Sequence, residues 1–191
     1  MLRVNQVSVK HRLNQFSLAL TAGQCWHVLG QNGAGKSSLF EVIPGLEVPE
    51  FGTVELHEQN LADMAISNIA TALVYLQQHY SLSFTLSVDE LLRFYTEYER
   101  IPDELEKALS IRALLSRNVT HLSGGEQQRV QIARCLMQSW GSIQEGKSLI
   151  LLDEPIQSLD VIFQEQALRL FKNIALKGNL VILSIHDINL S

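Results

Sequence analysis

Gly30-Gln31-Asn32-Gly33-Ala34-Gly35-Lys36-Ser37 sets glycines, a lysine and a hydroxyl at the spacing G-x-x-x-x-G-K-[ST]. The chemistry of that spacing is phosphate binding. The glycines let the backbone curl so that successive N–H groups face inward as an anion nest. Lys36 adds a compact positive charge for β- and γ-phosphates, and Ser37 offers a hydroxyl to a bound Mg²⁺. Cys25 to Leu29, just before the loop, reads as a short buried strand, and Ser38 to Ile43, just after it, as a helix. In a strand–loop–helix unit the helix N-terminus points at the phosphates. A glycine turn beside a chance lysine is the plain alternative, and it explains none of that context.

Two more constellations carry chemistry. Leu149-Ile150-Leu151-Leu152-Asp153-Glu154-Pro155 is an apolar strand ending in two carboxylates. At the C-terminal edge of a parallel sheet such a strand delivers its acids to the ligand crevice. Asp153 is then placed to hold Mg²⁺ through water, and Glu154 to orient and deprotonate an attacking water. Acids at a helix start are also commonplace, because they suit the dipole; the phosphate loop is what favours the catalytic reading. Between the two lies Leu122-Ser123-Gly124-Gly125-Glu126-Gln127-Gln128-Arg129. Ser123 and Glu126 have capping-box spacing, but a cap needs no Gly-Gly. Two glycines at a helix N-terminus let a phosphate approach its amides.

These residues need a scaffold. Leu2 to Val9 and Leu13 to Leu20 alternate as two strands around the basic turn Lys10-His11-Arg12. Phe51 to Leu56 and Thr71 to Leu76 are further strands, the latter ending at Gln77-Gln78. Ser87 with Glu90 opens a helix through Tyr98, Pro102-Asp103 a second through about Ser116, and Ser123 a third to about Trp140. Residues near 79–140 thus read as a helical insert between core segments 1–78 and 141–191. Gly141 to Lys147 reads as a polar loop. Ser148 to Asp153 is apolar throughout, as a central parallel strand covered on both faces must be. Val161 to Leu176 is an amphipathic helix and Leu180 to Ile185 the last strand. The 191 residues suit one domain, or one domain carrying a small subdomain, and a net charge of −5 does not support a basic face for nucleic acid. No apolar run reaches the ~18–20 residues that span a bilayer, and no signal-peptide core opens the chain. Cys25 and Cys135 fit reduced core residues of a cytosolic protein.

The three motifs in this order resemble the ATP-binding cassette (ABC) ATPases, with Ser123-Gly124-Gly125 standing as their signature sequence. The likeness covers essentially the whole chain. It implies an α/β fold: a P-loop NTPase core with a mixed sheet, an antiparallel β edge and a helical insert. It implies ATP and Mg²⁺ as ligands. Gly30, Gln31, Asn32, Gly33, Ala34, Gly35, Lys36, Ser37 and Ser38 would then contact ATP, with Ser37, Gln78 and Asp153 around the metal. Glu154, His186, Lys36 and Gln78 would carry catalysis; Gln77 is one residue off register. Ser123, Gly124, Gly125 and Glu126 would meet the ATP of a partner subunit, and Asp160 of Ser158-Leu159-Asp160 would cross to that partner as the D-loop. His186 sits in Ser184-Ile185-His186-Asp187, which resembles the switch-histidine segment.

Two positions depart from the family pattern. An early aromatic that stacks on adenine is replaced by His11 or Arg12, and a signature glutamine by Glu126, whose carboxylate must point away from any phosphate, for instance back to the Ser123 amide. Within the family the resemblance is nearest to ATPase subunits of bacterial vitamin B12 importers. It implies a head-to-tail homodimer on the cytoplasmic face of the inner membrane, bound to a permease dimer near Gln78 and Ser83-Phe84, with a periplasmic binding protein beyond. Importers of ferric siderophores or haem, or a soluble cassette ATPase, are the alternatives. Cassette domains normally continue past the switch histidine, so a truncated C-terminal end at Ser191 is expected.

Overall fold

The computed structural model describes residues 1–31, 33–78, 85–96 and 98–185. The chain opens with strands β1 (Leu2–Val9) and β2 (Leu13–Leu20), followed by β3 (Cys25–Leu29), the loop, and helix α1 (Lys36–Val42). Strands β4 (Phe51–Leu56) and β5 (Gln59–Asn60) come next, then helix α2 (Ile66–Ala72) running directly into β6 (Leu73–Leu76). Helices α3 (Val88–Tyr95), α4 (Asp103–Leu109), α5 (Gly124–Gln138) and α6 (Trp140–Gln144) fill the middle. Strand β7 (Leu149–Leu152), helix α7 (Val161–Leu176) and strand β8 (Leu180–Ile185) complete the described chain.

The strands form two sheets. One is antiparallel, in the order β2-β1-β4-β5; the other is parallel, in the order β3-β8-β7-β6. The expected antiparallel edge is therefore a four-stranded sheet of its own. Strand alternation divides the core between the two faces of the parallel sheet. Val74, Leu76, Ile150, Leu152, Val181 and Leu183 join the helices α3, α4, α5 and α7 in one apolar cluster. Leu73, Leu149, Leu151, Leu180 and Ile182 join β1, β4 and α1 in the other. All four residues of β7 are buried, as its uninterrupted apolar run requires. The helical stretch is thus seated on the sheet, with α5 packed on β6, α3 and α4.

β3 is not the buried strand that Cys25-Trp26-His27-Val28-Leu29 suggests. It is the edge of the parallel sheet, paired only with β8 among the described strands, and Trp26 and Leu29 are 44% and 63% exposed. Both cysteines are free, Cys135 buried and Cys25 half-buried. Boundaries elsewhere also move. The predicted strand from Thr71 begins only at Leu73, because α2 continues through Ala72. The second helix stops at Leu109, where Ser110 turns left-handed at φ +48°. The first insert helix ends at Tyr95, and residues 140–144 of the expected loop are helix α6.

One buried side chain ties these layers together. Asn179 is fully buried; its Oδ1 accepts the Ser148 amide at 2.9 Å while its Nδ2 donates to the carbonyls of Ile143 and Ile174. It satisfies the Ser148 amide, which would otherwise be stranded without water, and adds a second donor to the Ile143 and Ile174 carbonyls, which also accept the Gly146 and Lys177 amides where α6, α7, β7 and β8 meet.

Candidate functional site

The hairpin β1–β2 bends over the phosphate loop. Its register slips between Val4 and Val7 and again before Val9, with Gln6 and Gln15 at positive φ, the marks of bulges that twist a ribbon. The turn lands on Gly35. This residue has φ +89°, and a Cβ there would lie 2.9 Å from the Arg12 carbonyl oxygen. Left-handed backbone and close approach both demand glycine. No side chain caps α1, and no acid stands in its first turn. Its leading amides therefore meet an incoming anion unopposed. Lys36 Nζ donates to the carbonyls of Gly30 and Gln31, which holds the ammonium over the loop.

An open concavity of about 480 Å³ unites Gly33, Gly35, Lys36, Ser37 and Ser38 with Gln78 and Glu154. His11, Arg12 and Glu41 also line it. Arg12 is held in ion pairs to Glu41, at 3.2 Å, and to Glu47. Of the two residues expected to face adenine, Arg12 is thus the one held in such a clamp among the described residues.

Asp153 and Glu154 emerge from β7 into a strained turn. Glu154 has φ +52°, a left-handed conformation that costs a non-glycine residue about 1–3 kcal/mol and is kept where surroundings enforce it. Alternation alone would aim residue 154 at the helical face of the sheet; the turn breaks alternation, and its Oε2 accepts Gln78 Nε2 at 2.7 Å. Asp153 is 6% exposed and does not line the concavity. Its amide donates to the Leu76 carbonyl, and its Oδ1 accepts the Ser184 hydroxyl at 2.5 Å.

The Ser-Gly-Gly segment opens α5 as a completed capping box: Ser123 Oγ accepts the Glu126 amide and Glu126 Oε2 accepts the Ser123 amide at 2.8 Å. Glu126 also pairs with Arg117. Its carboxylate is turned back on its own cap, in the direction expected from the capping-box spacing, and the Ser123 amide holds it below the usual carboxylate range. The two glycines differ. A Cβ on Gly124 would meet open space, whereas one on Gly125 would lie 2.9 Å from the Ser158 carbonyl oxygen. Gly125 therefore lets the segment Ser158-Leu159-Asp160 pack against the helix start. Gln128 Nε2 adds a bond to the Pro155 carbonyl at 2.9 Å, so α5 is tied to the turn that follows the two acids. Asp160 caps α7 through the Phe163 amide, and the next residues, Val161 and Ile162, are 79% and 67% exposed. Arg129, over the Phe163 ring at 4.0 Å and bonded to the Leu109 carbonyl, locks α5 to α7 and α4.

Lys36, Ser37, Gln78 and Glu154 are thus brought together; Asp153, next to Glu154, does not line the concavity, nor do Ser123 to Glu126 or Asp160. Asn32, His186 and Ser83-Phe84 lie outside the described residues. The sequence motifs assign no role to Glu41, and they name Gln128 and Ser184 only as flanking residues of the signature and the switch-histidine segment, without their partners. The donor set suits Mg²⁺, a hard cation that takes oxygen ligands. Ser37 offers a hydroxyl, and Gln78 an amide oxygen, since its nitrogen is given to Glu154. Among the described residues no three His, Cys, Asp or Glu cluster to cage a metal, so phosphate and water must supply the rest of the shell.

A family profile described as ABC transporter matches residues 13–157. The chain belongs to the ABC transporter family. It is similar to the vitamin B12 import ATP-binding protein BtuD of Vibrio atlanticus (strain LGP32), 33% identical over 198 residues, covering 99% of this chain and 79% of that protein. It is also similar to the hemin import ATP-binding protein HmuV of Rhodopseudomonas palustris (strain ATCC BAA-98 / CGA009), 35% identical over 185 residues, covering 94% and 69%. Among solved structures, one described as the ATP binding subunit of an ABC transporter superposes with a TM-score of 0.82 at 25% identity, covering 97% of this chain and 79% of that one. No helix among the described residues is long and apolar enough to cross a membrane.

Proposed function

We propose that this chain is the ATP-hydrolysing subunit of an importer that carries vitamin B12 across the bacterial inner membrane. The observation that carries the enzymatic part is the single concavity in which Lys36, Ser37, Gln78 and Glu154 converge. In this reading the loop amides and Lys36 bind the β- and γ-phosphates of ATP. Ser37 and Gln78, with Asp153 next to Glu154, hold Mg²⁺, which when bound neutralises charge building on the phosphoryl oxygens. Glu154, positioned by Gln78, orients a water for in-line attack on the γ-phosphorus and takes its proton. His186 assists at the γ-phosphate.

Two chains complete the site head to tail, the Ser123-Gly124-Gly125 tip of one closing on the ATP held by the other. The exposed Gly124 and the apolar Val161 and Ile162 beside the Asp160 cap support such a surface. The dimer works under a permease pair docked near Gln78, with a periplasmic binding protein delivering cargo. Vitamin B12 rests on the relatives named for its import; relatives of matching similarity named for hemin import support haem as the second reading.

The test is ATP turnover in lipid vesicles holding the cognate permease and binding protein. Turnover rising with cobalamin and not with haemin is the expected result. A rise with haemin alone transfers the cargo to the second reading, and hydrolysis indifferent to the permease removes transport altogether.

A further inference from the structure

We propose that Ser184 is a positioning residue for ATP hydrolysis, its one hydroxyl fixing Asp153 and the Glu154 turn together. This inference rests on the hydrolytic reading above.

Ser184 is fully buried in β8. Its Oγ accepts the Glu154 amide at 2.8 Å and donates to Asp153 Oδ1 at 2.5 Å. A serine hydroxyl has one proton. With the Glu154 N–H on the acceptor side, that proton is directed to the Asp153 carboxyl oxygen, which accepts it. The contact lies just beyond the last ladder pair of the two strands, Leu152 with Leu183. There the backbone ladder no longer guides β7, and a side chain takes over. Parity agrees: residues 149, 151 and 153 of one strand and 180, 182 and 184 of the other share the face on which α1 packs. Asp153 is anchored from the opposite side through its amide to Leu76. Three strands thus grip the two acids, and the left-handed Glu154 is held by the Ser184 hydroxyl at its amide and by Gln78 at its carboxylate. Without the hydroxyl, Asp153 loses a donor that orients it, and the Glu154 turn loses the bond that stabilises its unusual backbone.

A control exists in the same sheet. Ser148 is as deeply buried, yet its hydroxyl has no partner among the described residues. Removing it tests the cost of losing a buried serine hydroxyl without touching either acid.

Steady-state hydrolysis is measured for the wild type, Ser184→Ala, Ser184→Thr and Ser148→Ala, with Mg²⁺-dependent thermal stabilisation by ATP as a second readout. Loss of an outer partner to a ligating carboxylate costs about 10- to 100-fold, so kcat in Ser184→Ala falls by that factor while KM for ATP stays within about twofold. Ser184→Thr, which keeps the hydroxyl on a strand-compatible side chain, recovers most of kcat. The extra stabilisation that Mg²⁺ adds to ATP shrinks in Ser184→Ala alone, and Ser148→Ala behaves as wild type. A wild type that hydrolyses ATP beside an equally active Ser184→Ala overturns this inference alone. An equal loss in the alanine and threonine variants, with matching falls in melting temperature, also overturns it. Absence of hydrolysis in the wild type overturns the hydrolytic reading, and this inference with it.

Discussion

Glu154→Gln holds ATP and fails to turn it over. Glutamine keeps an oxygen to accept the Gln78 amide that now bonds Glu154 at 2.7 Å, so the turn and the concavity persist. What disappears is the ability to take a proton from water. General-base contributions of about 10²–10⁴-fold set the expected loss in kcat. Affinity for ATP holds or rises, because a negative charge beside a triphosphate has been removed. Phosphate release and fluorescent-nucleotide titration separate the two effects. Near-normal turnover in this variant takes Glu154 out of the base role, whatever its geometry.

Lys36→Ala has the opposite signature: binding itself is weakened. The ammonium bonded to the Gly30 and Gln31 carbonyls is the only charge of the loop, and a charged hydrogen bond contributes about 1.5–3 kcal/mol, or roughly 10- to 150-fold in Kd. Ligand linkage gives the readout. At ATP near 100 times the wild-type Kd, binding stabilises the fold by ~2.7 kcal/mol, which in a domain of this size raises Tm by about 5–10 °C. A hundredfold weaker Kd leaves ~0.4 kcal/mol and a shift of about 1–2 °C at the same concentration. The unliganded Tm barely moves, since the loop carbonyls that lose the ammonium remain open to water. An undiminished ATP shift in Lys36→Ala places the nucleotide elsewhere.

How much of this was legible beforehand follows from the kind of signal each part gives. β1, β2, α7 and β8 fall where alternation or helical periodicity places them, to the residue. α2 gave no such signal: none of its residues is buried, so no apolar stripe marks it. α6 hides in a polar stretch because Ile143 is its one buried residue. β3 misled in the other direction, its apolar run matching a central strand although it lies on an edge, which only the sheet order reveals. At the site, motifs carry their spacing in sequence, and Lys36, Ser37, Gln78 and Glu154 do converge. The reversed carboxylate of Glu126 was also readable, since the capping box fixes its direction locally. The partners of Ser184 were not readable, because Glu154 and Asp153 lie 30 and 31 residues away at the end of β7 and the meeting depends on register. The distinct duties of Gly124 and Gly125 likewise needed the packing of Ser158 to separate them.

The central claim is that ATP is shared between two copies of this chain, and its most direct measurement is the molar mass of Glu154→Gln by light scattering, with and without Mg²⁺-ATP. The mass is expected to double only with nucleotide, and Gly124→Glu added to the same chain to cancel the doubling while each monomer still binds ATP. The second change sits in open space and suits the helix dipole, yet sets a negative charge where the proposed dimer brings the partner's γ-phosphate. A chain that binds ATP and stays monomeric, or one that dimerises regardless of Gly124→Glu, contradicts the account.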